Sequence, residues 1–71
     1  MQLTKRDFTL LTHLLYHKDE KLTQRSISAD TGFSLGAVNQ LLTRALADGT
    51  VSADDENGYR LTDEGFSALQ P

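Results

Sequence analysis

The stretch that decides the fold spans residues 23–42 and reads TQRSISADTGFSLGAVNQLL. Thr23 is a good N-cap, and the residues after it predict a short helix that ends near Thr31. Gly32 can adopt the left-handed conformation that ends a helix at little cost, and Ser34 is the next N-cap. The stretch therefore predicts two helices that are joined by a tight turn.

The second helix of this pair is predicted to run from about Leu35 to Asp48. At 100° per residue, its apolar side chains fall on one side. They are Leu35, Val38, Leu41, Leu42, Ala45 and Leu46. We therefore expect Leu42 to be buried and structural. Gly49 follows where the helix ends, and we expect it to adopt the left-handed conformation.

The residues before this stretch predict one further helix, over roughly residues 5–17. Thr4 and Asp7 resemble a capping box at its start. An apolar stripe follows at helical spacing, and it consists of Phe8, Leu11 and Leu15, widened by Leu14. We expect this stripe to face the core.

After Gly49 the apolar pattern changes to a period of two. Val51 and Ala53 alternate with polar residues, Tyr59 and Leu61 do the same, and Asn57-Gly58 between them is a strong hairpin signal. A last short helix is predicted from Asp63 to about Leu69, after the N-cap Thr62.

Two short helices joined by a glycine-containing turn form a helix-turn-helix motif, and a hairpin after the second helix makes it winged. The predicted fold is mostly α with a small β-hairpin: a three-helix core, a wing and a short C-terminal helix. With 71 residues, the chain is at most one domain, residues 1–71.

Composition excludes several classes of function. There is no cysteine, so a disulfide framework and a thiolate metal site are excluded. No long apolar run predicts a membrane span and no secretory leader is present, so we expect a cytoplasmic protein. A domain of this size has little room for an enclosed catalytic pocket, so we expect no enzyme activity and no cofactor. A monomer is the expected state in isolation.

The net charge of −3 is unevenly distributed. Residues 1–20 are neutral overall, residues 21–48 carry +1, and residues 49–71 carry −4. DNA-binding proteins are usually basic, because phosphate contacts supply much of their affinity. Residues 21–48 are the only part of this chain with a net positive charge.

The fold-deciding stretch resembles the helix-turn-helix of bacterial winged helix-turn-helix domains of the MarR-like kind. Residues 46–51, LADGTV, look like the entry to the wing of that family, and residues 59–65, YRLTDEG, look like its exit. The resemblance covers about residues 3–70. It implies a DNA-binding domain whose third helix lies in the major groove.

A second resemblance concerns the end of the chain. Residues 65–71, GFSALQP, look like the join between such a domain and a following sugar-phosphate or choline-phosphate nucleotidyltransferase domain. This resemblance implies that the chain is the excised N-terminal part of a longer protein, and that an adjoining C-terminal catalytic domain is a partner.

The polar side of the third helix holds the main candidates for DNA contact. Side chains near the N-terminus of a helix in the major groove can reach base edges. The candidates are Ser34, Gly36, Ala37, Asn39, Gln40, Thr43 and Arg44. Gln40 and Asn39 suit adenine, and Arg44 suits guanine or a phosphate. We expect the substitution Arg44→Glu to leave folding intact.

Three further candidates lie outside that helix. Gln24 and Arg25 begin the second helix, whose N-terminus favours a phosphate. Arg60 lies on the wing, where its acidic neighbours would repel the DNA backbone. Those neighbours, together with the negative net charge, favour an alternative function in which the domain binds another protein or an adjoining domain.

His13 and His17 have the spacing of two metal ligands on one helix. No third ligand stands at a suitable spacing, so we expect no metal site. No phosphate-binding loop, nucleophile elbow or Ser/His/Asp set can be assembled from this sequence.

Overall fold

The computed structural model describes residues 2–70, so Met1 and Pro71, at the ends of the predicted domain, lie outside the described residues. The elements are α1 (Lys5–Tyr16), α2 (Gln24–Thr31), α3 (Leu35–Asp48), β1 (Val51–Asp54), β2 (Gly58–Leu61) and α4 (Asp63–Ala68). The predicted fold class is confirmed. The chain is a mostly helical winged helix-turn-helix with a two-stranded wing and a short last helix.

Capping side chains set the helix boundaries. The Thr4 hydroxyl accepts a hydrogen bond from the backbone N–H of Asp7, and the Asp7 carboxylate accepts one from the backbone N–H of Thr4, which confirms the capping box. Ser34 caps α3 by accepting from the backbone N–H of Ala37. The helix ends are also as predicted, since Gly32 and Gly49 have φ angles of 80° and 82°.

One hydrophobic core joins all the helices before the wing to the first strand. Its buried side chains are Leu10, Leu11, Leu14, Leu22, Ile27, Val38, Leu41, Leu42, Ala45 and Val51. Leu42 is 1 % exposed, which confirms the prediction that it is structural. Phe33 and Tyr59 pack against this core from the outside.

The predicted apolar stripe of α1 is correct for Leu11 and Leu14, which are buried in the core, and wrong for Phe8. Phe8 is 43 % exposed and Leu15 is half-buried, whereas Asp7 and Leu10 are buried with Leu14. The face that packs is rotated, because α1 contacts α2, α3, α4 and β2 together and because Asp7 has partners that permit its burial. Both ends of the α3 stripe, Leu35 and Leu46, are also exposed.

The wing is tied to the helices by a bridge that the sequence did not predict. β1 and β2 pair antiparallel, and Gly58 also forms a parallel bridge with Leu22. The backbone N–H of Tyr59 donates to the Leu22 carbonyl at 3.0 Å. Gly58 has a φ of 73°, and a Cβ there would collide with the same Leu22 carbonyl oxygen. Glycine is therefore required at this position for two reasons, the positive φ and the close approach of the Leu22 backbone.

Within residues 2–70, none of the helices has the length and apolar character needed to cross a lipid bilayer.

Candidate nucleic-acid interface

The polar side of α3 is exposed from its first turn to its last. Ser34, Gly36, Asn39, Gln40, Thr43 and Arg44 are exposed, and Ala37 is half-buried. No atom lies within 4 Å of the position that a Cβ of Gly36 would occupy. The N-terminal end of α3 is therefore low in bulk, so another molecule can approach its backbone closely.

A shallow groove between α3 and the start of α1 collects cationic side chains. Its lining residues are Thr4, Lys5, Arg6, Ala37, Gln40, Leu41 and Arg44. Three of the predicted α3 candidates thus share one surface with two cations of α1. Lys5 and Arg6 were missed in the sequence, although they lie between Thr4 and Asp7, the two residues of the capping box that starts α1.

Arg44 is held in place by a buried carboxylate. Its Nη2 donates to Oδ1 of Asp7 at 2.7 Å, and the Asp7 side chain is 7 % exposed whereas that of Arg44 is 49 % exposed. Burial alone would raise the pKa of Asp7. The hydrogen bonds from Thr4 and Arg44, together with the Arg44 charge, outweigh it and lower the pKa. The premise behind the expected tolerance of Arg44→Glu is therefore contradicted, and we now expect this change to destabilise the fold, because it would set two carboxylates against each other.

The two predicted residues of α2 are in different situations. Gln24 is half-buried, and its Nε2 donates to the Tyr59 hydroxyl of the wing at 3.2 Å. Arg25 is exposed beside it. Gln24 thus joins α2 to the wing, while Arg25 points its charge at solvent near the N-terminus of α2, which favours anions.

Arg60 lies away from the groove beside α3. Its Nη2 donates to the backbone carbonyl of Lys18 at 3.2 Å. The surrounding depression is lined by residues 18–21, Glu56 and Asn57, none of which lines the α3 groove. Three acidic side chains there offset the charges of Arg60 and two lysines, so the net positive charge available to a phosphate is smaller than at Lys5, Arg6 and Arg44.

The wing turn is built from acidic and amide side chains. Oδ1 of Asp54 accepts from the backbone N–H groups of Glu56 and Asn57 at 2.9 and 2.6 Å. The hydrogen bonds from Asn57 lower the pKa of Asp54 most, so this carboxylate stays ionised. The tip therefore carries fixed negative charge.

The expectation that His13 and His17 have no third ligand nearby is wrong. Asp30 of α2 brings its carboxylate to 3.0 Å from Nε2 of His13. Donor atoms of His13, His17 and Asp30 all lie within 4.8 Å of one another. Asp30 is 17 residues from His13 in sequence, and only the packing of α1 against α2 brings them together.

The described residues therefore define a winged helix-turn-helix domain with a polar third helix and a cationic groove beside it. Comparison of the chain with protein-family models, with curated proteins and with solved structures finds no match.

Proposed function

We propose that the chain is a double-stranded DNA-binding domain that places α3 in the major groove. The single observation that carries the proposal is the groove in which Ala37 and Gln40 of α3 lie beside Lys5, Arg6 and Arg44. Cations contact the phosphates of the DNA backbone, and polar side chains on a helix contact the exposed base edges. The groove places both kinds of side chain next to each other.

The residues divide into two roles. Gln40 and Asn39 present exposed amides, which suit the donor and acceptor of adenine in the major groove. Lys5, Arg6 and Arg44 line the groove beside Gln40 and suit phosphates of the DNA backbone. Asp7 fixes the direction of the Arg44 guanidinium, so less side-chain freedom is lost when Arg44 binds a phosphate.

The proposed affinity is weak, and its dependence on salt is in proportion to the small number of phosphate contacts. The net charge of the chain is −3, and this value includes the fixed negative charge of the wing tip. With few phosphate contacts, the salt dependence is shallow, because each contact contributes a slope of about 0.9 in log K against log salt.

The proposed binding of DNA implies where the domain acts and what it does in the cell. A domain that binds DNA in a bacterial cell acts in the cytoplasm, and it regulates transcription or serves as a regulatory module of an attached nucleotidyltransferase. It needs no catalysis or cofactor of its own. The second role rests on the resemblance of residues 65–71, of which Pro71 lies outside the described residues.

A matched pair of lysine substitutions tests the proposal. Lys5 lies in the groove and Lys18 lies in the depression near Arg60, and both are exposed. Fluorescence anisotropy with labelled generic duplex DNA at low salt measures binding. We expect Lys5→Gln to weaken binding to every sequence alike and to reduce the salt slope by about 1. Lys18→Gln should leave both unchanged.

Equal effects of Lys5→Gln and Lys18→Gln would show that the contact is not at α3. Absence of binding by the parent protein at high micromolar concentration would contradict DNA binding altogether. The protein-interaction function would then lead. It is favoured by exposed large apolar side chains, which are Phe8, Tyr16, Leu35, Leu46 and Phe66.

A further inference from the structure

A second cluster of chemically capable side chains lies where the C-terminal end of α1 meets α2. It consists of His13 in the last turn of α1, His17 at its C-cap, and Asp30 near the end of α2. We propose that His13, His17 and Asp30 form a binding site for a divalent transition-metal ion of the Zn²⁺ class.

The donor atoms of the three residues lie near the spacing that a small ion requires. Nε2 of His13 and Oδ2 of Asp30 are 3.0 Å apart, and the donor atoms of all three residues lie within 4.8 Å. Four ligands at about 2.0–2.1 Å from Zn²⁺ are about 3.3 Å from one another in a tetrahedron. The His13–Asp30 pair is thus already close to that spacing, and His17 needs to move inward.

The ligand chemistry is that of a zinc site with an open position. Two imidazoles and one carboxylate make three protein ligands, and water completes a tetrahedron. Nitrogen ligands favour Zn²⁺ and its neighbours over Mg²⁺ and Ca²⁺, which prefer oxygen alone.

Glu20 provides the outer contact that metal-binding histidines usually have. Its Oε2 lies 2.6 Å from Nδ1 of His17, so Nε2 is the nitrogen that His17 has left for an ion. A carboxylate on the far nitrogen orients the ring and raises its basicity. Glu20 is therefore a positioning residue for His17.

His13 is prepared as a ligand by its surroundings. Its side chain is 9 % exposed, and its ring stacks on that of His17 with centroids 4.4 Å apart. The ring of His13 is therefore held by packing with its Nε2 beside the carboxylate of Asp30.

The second ring nitrogen of His13 limits the expected affinity for the ion. Nδ1 of His13 is buried without a hydrogen-bond partner among the described residues. When Nε2 binds an ion, Nδ1 carries the ring proton and has no acceptor. An outer partner is typically worth about 10- to 100-fold in affinity, so we expect micromolar rather than nanomolar binding.

The test uses tag-free protein, since an affinity tag of histidines would bind the same ions. Titration with Co²⁺ should give the visible absorption of tetrahedral cobalt, and Zn²⁺ should remove it at one equivalent. Saturating Zn²⁺ at about 100 times its Kd should raise the melting temperature by on the order of 10 °C, whereas Mg²⁺ should not.

Variants separate this site from adventitious binding. Asp30→Asn and His17→Gln, both at partly exposed side chains, should abolish the cobalt spectrum while keeping the circular dichroism of the parent. Glu20→Gln should weaken binding about 10- to 100-fold. Asp55→Asn, at the exposed wing tip, is the matched control and should bind as the parent does.

The proposal is overturned if Zn²⁺ leaves the melting temperature of the parent unchanged. It is equally overturned if Asp30→Asn keeps the full cobalt spectrum, because two histidines of one helix would then bind the ion without α2. Neither readout involves DNA, so both outcomes are independent of the proposed function.

Discussion

At the scale of single residues, Asp7 has the most consequences for the molecule. Its carboxylate closes the capping box of α1 and accepts a hydrogen bond from Arg44 on α3. A buried carboxylate is tolerated only when hydrogen bonds and an opposite charge compensate its lost hydration. Asp7 therefore couples the start of α1 to the proposed DNA-binding helix.

We expect Arg44→Ala to destabilise the protein by about 1–2 kcal/mol, since it leaves the Asp7 charge buried with only Thr4 as partner. Arg44→Glu should cost more, because two carboxylates would then face each other. The free energy of unfolding in urea measures both. Arg25→Ala is the control, and as an exposed change it should stay within about 0.5 kcal/mol. An Arg44→Ala variant as stable as Arg25→Ala would show that the pair contributes nothing.

The same residues mark the limit of what the sequence predicts. Helix bounds were correct because caps and glycines act on their own neighbours, as Thr4, Ser34, Gly32 and Gly49 do. The packed face of α1 was predicted only in part, because the pattern alone does not say that Asp7 finds a partner 37 residues away. The α3 candidates followed from helical spacing, whereas the groove that adds Lys5 and Arg6 depends on packing.

At the scale of elements, two of the three left-handed glycines within residues 2–70, Gly32 and Gly58, differ in their surroundings. Gly32 ends α2, and no atom lies within 4 Å of where its Cβ would be. At Gly58 the Cβ would collide with the Leu22 backbone, which is held by its bond to Tyr59. Positive φ is thus the only obstacle to a side chain at Gly32, while Gly58 adds a steric one.

We expect Gly32→Ala to cost about 1 kcal/mol, the usual penalty for an L-residue in this conformation. Gly58→Ala should cost at least about 1–2 kcal/mol more, because the backbone at the Leu22 bridge must move as well. Unfolding of both variants in urea gives the difference. Equal losses would mean that the Leu22–Gly58 bridge yields without cost.

At the scale of the whole molecule, the titratable groups determine how stability depends on pH. The pKa of His13 is lowered from its ordinary value of 6.5, chiefly by burial. The unfolded chain therefore takes up this proton at higher pH than the folded chain does. The stabilising contribution is complete above pH 6.5 and is lost as pH falls through the folded pKa.

We expect the free energy of unfolding to decrease as the pH falls from about 7.5 to about 5. This range brackets the ordinary histidine pKa. Urea unfolding in the presence of a chelator measures it without metal binding. The lowered pKa values of Asp7 and Asp54 act only below their ordinary value of 3.8, so they do not contribute in this window. Stability that rises on acidification would contradict the burial of a neutral His13.

The bridge between Leu22 and Gly58 also decides how far the chain can be divided. The carbonyl of Leu22 belongs to a buried residue and receives its hydrogen bond from the wing. A fragment that stopped after α3 would leave that carbonyl unpaired. It would also lack Val51 and would therefore expose the core that Val51 helps to cover. The helix-turn-helix of this protein is therefore not a unit that can be moved to another protein by itself. Any graft of its α3 surface onto another scaffold must include the hairpin.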